Sequence, residues 1–199
     1  MSVPHYEIEM YQGADWKPTL NWYAGGLFRA PIEEIDPGYP TKLQVTAHGL
    51  PTVSATPVII SGIEGQNMTI LNSKNLAIMH ATRLDDDHFT MPISTIKGEW
   101  VVGTGEITYY RPTDITGMTF RAKLRSRVHN GTVLADLTTA NGKIIAIADD
   151  ASIQLNLTGA ETELLNFTRG YLDCEAVDST GGIQRVFSLT VNLIREATR

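Results

Sequence analysis

The residue types able to do chemistry are few in this chain. Asp85-Asp86-Asp87-His88 has the ligand types of a metal site, but not the glycine-punctuated spacing of a calcium loop, and it reads as a solvated acidic tip. His48, between Ala47 and Gly49, has the type of a general base. Its setting reads as a turn histidine that bonds backbone and positions Gly49. Gly103-Thr104-Gly105 lacks the following helix that a phosphate loop needs and reads as a strand end or bulge. Cys174 alternates with Asp173 and Glu175 and reads as an inert core thiol. No nucleophile elbow, P-loop, zinc-protease helix or dinucleotide fingerprint occurs. The expectation is a protein that is not an enzyme, with no catalytic residues, no metal and no cofactor.

The strongest exposed feature is a stripe of cations. Arg121, Lys123, Arg125 and Arg127 alternate with Phe120, Ala122, Leu124 and Val128. Such a strand has one apolar and one basic face. The basic face reads either as an ordinary solvated surface or as a subunit contact for an acidic partner surface. Charge is split along the chain: residues 1–110 carry 6 Lys/Arg and 12 Asp/Glu, whereas residues 111–199 carry 10 of each. Opposite-sign patches within one chain suit head-to-tail rings or stacks. The net charge of −6 disfavours nucleic acid as a partner. No apolar run approaches the roughly 20 residues of a membrane span, so no membrane partner is expected.

The elements that position these residues read as β. With 199 residues, 42% hydrophobic and one cysteine, the chain can bury a core without disulfides. Period-2 segments are broken by turn signals such as Asn130-Gly131 and Asn141-Gly142. Strands are expected at 133–137, 144–148 and 153–157, with Leu172, Cys174 and Ala176, then Phe187 to Leu193, facing inward near the end. Thr158-Gly159-Ala160-Glu161 has capping-box spacing and predicts one short helix, with Leu164 and Leu165 packed inward. Tyr171 then opens a strand, as at the corner between two sheets of an immunoglobulin-like sandwich. In Asp114-Ile115-Thr116-Gly117 the Asp suits a turn and Gly117 a conformation costly for a β-carbon. Residues 31–40 read as a connector. Short strands at 43–47, 58–60, 68–71, 76–81 and 100–102 suggest a small barrel-like module. Asn67, Asn130, Asn156 and Asn166 begin glycosylation-type triplets that read as chance matches.

Two motif sets resemble tailed-bacteriophage structural proteins. Tyr11-Gln12-Gly13-Ala14-Asp15-Trp16 and Leu20-Asn21-Trp22, then Asp114 to Arg125, Gly170 to Glu175 and the tail Arg195 to Arg199, resemble a family reading "QGatf…W", "DLTGytaraqvR" and "GxYxxDLE", with a final "TR". This family is similar to the N-terminal module of baseplate upper proteins. Thr46 to Leu50, Val58 to Gly65, Leu71-Asn72 and Asp87 to Thr90 resemble a phage tail module reading "aHGLxxGdxVxisGvxG…lN…Dxftl". Here Pro51-Thr52-Val53-Ser54 replaces its Gly-Asp loop. The resemblance implies an all-β fold: an Ig-like β-sandwich of 1–29 plus 110–199 with a small β domain of 30–109 inserted. The two flanking pieces should then pair as neighbouring strands. It implies a virion component assembled in the bacterial cytoplasm, in the tail, baseplate or fibre-attachment apparatus. Its partners would be itself, as a ring or trimer, and other virion proteins. A collar, neck or head-decoration protein is the rival within that class; a carbohydrate-binding or hydrolytic tail module is the rival outside it.

Overall fold

Alternating apolar residues bounded by Gly, Asn and Pro make strands almost everywhere. The computed structural model describes residues 3–52, 55–73 and 78–195. Val53, Ser54, the first two residues of the strand expected at 76–81, and the 196–199 part of the matched tail lie outside them. In chain order the strands are β1 (His5–Tyr11), β2 (Thr19–Asn21), β3 (Leu27–Pro31), β4 (Glu34–Asp36), β5 (Thr41–Gln44), β6 (Thr56–Ser61), β7 (Gly65–Gln66), β8 (Met79–Arg83), β9 (His88–Met91), β10 (Glu99–Trp100) and β11 (Glu106–Tyr110). They continue with β12 (Thr119–Arg125), β13 (Val133–Thr138), β14 (Ile144–Ile147), β15 (Ser152–Leu155), β16 (Arg169–Val177) and β17 (Ile183–Ile194). The single α-helix among the described residues, α1 (Gly159–Glu163), lies between β15 and β16. The fold is all-β: an Ig-like β-sandwich carrying an inserted small β-barrel-like domain.

The chain forms two compact units, residues 1–22 with 115–199, and residues 23–114. The junctions, at 22/23 and 114/115, therefore fall outside those expected at 29/30 and 109/110, and the inserted unit is longer at both ends. The reason is pairing: β3 and β11 are antiparallel partners, from Glu106 against Pro31 to Tyr110 against Leu27, so they stay together in the smaller unit. The two flanking pieces do pair as neighbouring strands, β1 with β17 and β2 with β15, although the strands next to the junctions, β2 and β12, lie in different sheets. β2 pairs with β15 in a three-stranded sheet, whereas β12 lies between β16 and β13 in a five-stranded one.

In the larger unit the five-stranded sheet runs β1-β17-β16-β12-β13 and the other runs β14-β15-β2. Register stacks Phe120, Ala122 and Leu124 beside Ala176, Cys174 and Leu172 on the inner side. These residues, with Phe187, Leu189 and Val191, are buried. Each fully buried large side chain contributes about 1.5–3 kcal/mol of transfer free energy. β1 runs parallel to β17, His5 opposite Ser188 through Tyr11 opposite Ile194, while the other pairings in this sheet are antiparallel. Three expectations are corrected here. Val128 is 58% exposed, because β12 stops at Arg125 and the chain bends before reaching it. Leu165 is buried but Leu164 is 84% exposed, because α1 is too short to turn both inward. Tyr171 marks no corner: it is the third residue of β16, and strand parity sends Gly170 and Leu172 inward and Tyr171 outward. The capping box forms as its spacing requires, Thr158 accepting from the Glu161 N–H and the Glu161 carboxylate accepting from the Thr158 N–H at 2.8 Å.

In the smaller unit a seven-stranded sheet, β3-β11-β6-β8-β9-β5-β4, curls as a half-barrel around Leu43, Ile60, Met68, Phe89 and Ile107. The stretch expected as a connector contributes β4 and the buried Ile32 and Ile35. Thr69–Leu71 is a turn of 3-10 helix, not a strand. Its buried Leu71 faces the core, which produced the apolar signal.

Candidate interaction face of the five-stranded sheet

The side of the five-stranded sheet away from the core is polar, because period-2 sequences on β12 and β16 put their charged residues there. Arg121 stands opposite Glu175, Lys123 opposite Asp173, and Arg125 opposite Tyr171. On the other flank Lys123 faces Asp136 of β13. The Arg121 guanidinium donates to Glu175 Oε2 at 2.8 Å, with side-chain exposures of 51% and 31%. An exposed pair of this kind is worth about 0–1 kcal/mol. Arg125 donates to the Gly131 carbonyl at 3.0 Å and so also braces the turn after β12. Arg127 lies beyond the strand and is exposed.

β17 and β1 complete the face. Arg185 approaches Asp173 at 3.8 Å. The His5 ring reaches Ser188 Oγ at 2.9 Å and Thr190 Oγ1 at 3.1 Å, tying β1 to β17. Together these strands enclose a shallow concavity of about 650 Å³, with Tyr171 in its lining. The basic stripe of the sequence is therefore part of a mixed-charge surface. Asp173, Glu175, Arg185, His5 and Ser188 were not singled out as part of it. The alternation of β16 does put Asp173 and Glu175 opposite its apolar residues. Their meeting with β12 depends on register between distant strands, which no local signal carries.

Below this face Cys174 is buried, and burial pushes its thiol up to about 12. It stays protonated and is not a nucleophile. The other residues singled out sit elsewhere. His48 is buried in the smaller unit, its Nδ1 accepting from the Leu50 N–H at 3.0 Å and its Nε2 3.2 Å from the His88 carbonyl. It stacks edge-on against Phe89. Ala47 at φ 51° and Gly49 at φ 66° flank it, so a double left-handed turn drives the imidazole inward. Burial lowers its pKa from 6.5, which keeps it neutral. Asp114 is the last residue of the smaller unit. Gly117, at φ 73°, turns the chain into β12 with open space around it.

The acidic tip is internally satisfied. Asp85 Oδ1 accepts from the backbone of Asp87 at 2.9 Å and of His88 at 2.8 Å, and Asp87 Oδ1 accepts from Ala47 N–H at 2.8 Å. Among the described residues no group of three His, Cys, Asp or Glu side chains is placed to hold a metal ion. No helix is long and apolar enough to cross a membrane among the same residues. No protein-family model and no curated protein matches the chain.

Proposed function

We propose that this chain is a structural component of a tailed-phage virion, in the tail, baseplate or fibre-attachment apparatus, and acts by protein–protein assembly as a homo-oligomeric ring or trimer. The observation that carries this reading is the polar concavity on the outer side of the five-stranded sheet, built on a strand whose opposite side is fully packed. Such a face is rigid before it meets a partner, so little ordering entropy opposes docking. The motif resemblance, "QG…W" between β1 and β2 and Asp114 to Arg125 leading into and forming β12, supports the phage setting. A collar, neck or head-decoration position is served by the same surface.

A hydrolytic tail module would need a carboxylic acid kept protonated in an apolar setting. The two carboxylates of the concavity face arginines instead, Glu175 at 2.8 Å from Arg121 and Asp173 at 3.8 Å from Arg185, which favours assembly over glycosidase chemistry. The test is incorporation of R121S/K123S/R125S into purified virions. Losing three exposed contacts at about 0–1 kcal/mol each weakens binding by up to roughly 150-fold, so incorporation falls while the fold persists. Wild-type incorporation at both low and high salt refutes the role of this face. Binding of the isolated protein to host-surface sugar would favour the carbohydrate-binding rival.

A further inference from the structure

The concave face carries more positive charge than it neutralises. The cations Arg121, Lys123, Arg125, Arg127 and Arg185 line it, against the carboxylates of Asp173 and Glu175 and, opposite Lys123 on the β13 flank, Asp136. The chain as a whole is nevertheless acidic, and its smaller unit carries 6 Lys/Arg against 10 Asp/Glu, a net −4.

That negative charge is concentrated at one end of the half-barrel sheet. β4 is its edge strand, with Glu34 and Asp36 exposed on either side of buried Ile35. Glu33 precedes them and is also exposed. The register Glu34 to Gln44 to His88 runs from this edge to the β8–β9 tip, where Asp85, Asp86 and Asp87 stand. Lys42 and Arg83 are the cations among these six carboxylates, so the corner accounts for the whole net charge of the unit.

The spacing matches as well as the sign. Glu34 and Asp36 are two residues apart on one side of a strand, as are Arg121, Lys123 and Arg125, so both rows repeat at about 6.5–7 Å. We infer that the concave face is a docking site for a second copy of this chain, which presents its β4 edge and β8–β9 tip. The inference rests on the assembly role proposed above and names the partner surface. Because the two surfaces differ, the contact is heterologous and propagates into a ring or an open stack.

Sedimentation velocity on the purified full chain tests this with two charge reversals. K123E/R127E/R185E makes the sheet face acidic, and E34K/D36K/D86K makes the corner basic. The wild type should self-associate at about 0.05 M salt and dissociate at about 0.5 M, where screening shortens to a few ångströms. Each reversal alone sets like charges against each other and should weaken association by at least about tenfold. An equimolar mixture restores complementarity at both kinds of contact and should recover it. A wild type that is monomeric at low salt, reversals that associate like the wild type, or a mixture that stays dissociated would each overturn the inference. Should a reversal fail to fold by circular dichroism, the serine versions of the same residues provide the weakening arm. Lost virion incorporation of R121S/K123S/R125S without self-association would leave the assembly role standing and this partner refuted.

Discussion

Replacing His48 by leucine tests whether the buried imidazole is the peg of the smaller unit. Leucine supplies apolar volume against Phe89 but cannot accept from the Leu50 N–H or donate to the His88 carbonyl. The His88 carbonyl keeps the Leu84 N–H at 2.9 Å, so the Leu50 N–H is the buried group left without its partner, and the loss should be about 1–3 kcal/mol. For a unit of this size about 1 kcal/mol shifts Tm by about 4–8 °C, so the melting transition of the smaller unit should fall by at least about 4 °C. The pH dependence supplies an independent readout. Burial, the largest influence, lowers the folded-state pKa below 6.5, with Arg83 lowering and Asp85 and Asp87 raising it. Between the folded and unfolded pKa values the unfolded chain binds the extra proton. The wild type therefore loses stability as pH falls below about 6.5, by at most about 1.4 kcal/mol per pH unit. His48→Leu lacks that loss, so the gap between the two proteins should narrow from neutral pH to mild acid in a calorimetric series. A variant melting within about 2 °C of the wild type, or a gap independent of pH, would refute the reasoning.

Gly117→Val should cost about 1–2 kcal/mol by chemical denaturation, from the left-handed backbone alone, since a β-carbon there meets open space. Gly117→Asn should recover most of that loss, and equal stability of both variants would contradict the assignment. Glu161→Gln should cost about 1 kcal/mol, because it removes the salt bridge to Lys143 at 2.7 Å and weakens the capping box. The Lys143 ammonium, followed by the Thr158 backbone, lowers Glu161 from 4.5 to about 2. Its contribution is full above the unfolded carboxylate pKa and is lost as pH falls toward 2, so the difference between the wild type and Glu161→Gln should vanish in that window in acid titrations of stability.

Local pattern was legible wherever a strand stays regular. The β12 alternation placed Phe120, Ala122 and Leu124 inward and Arg121 and Lys123 outward without reference to any partner. It failed where the period breaks. Val128 lies past the bend after Arg125, and the strand expected at 43–47 ends at Gln44, after which Ala47 at φ 51° turns His48 inward. Thr69–Leu71 carries an apolar side chain on a single helical turn, which a short window cannot distinguish from a strand. The unit boundary depended on β3 pairing with β11, a contact across the entire inserted segment. The candidate face was half legible for the same reason. Its β12 row is written in one stretch of sequence, whereas Glu175 and Arg185 join it only through the antiparallel registers of β16 and β17.

The parallel pairing of β1 with β17 orders the making of this protein in time. His5 and Ser188 lie 183 positions apart, so β1 leaves the ribosome long before its partner exists. The seven strands of the half-barrel sheet all lie within residues 23–114 and can close while β1 still waits. Folding of that unit shortens the outstanding loop by about half, which lowers its closure cost by only about 0.6 kcal/mol. Energetics therefore do little to set the sequence of events; translation sets it. A nascent chain interrupted before residue 183 would carry a finished half-barrel beside a sheet missing the strand between β1 and β16. Such a fragment would display the acidic corner without the concave face, whereas a chain that includes β17 displays both.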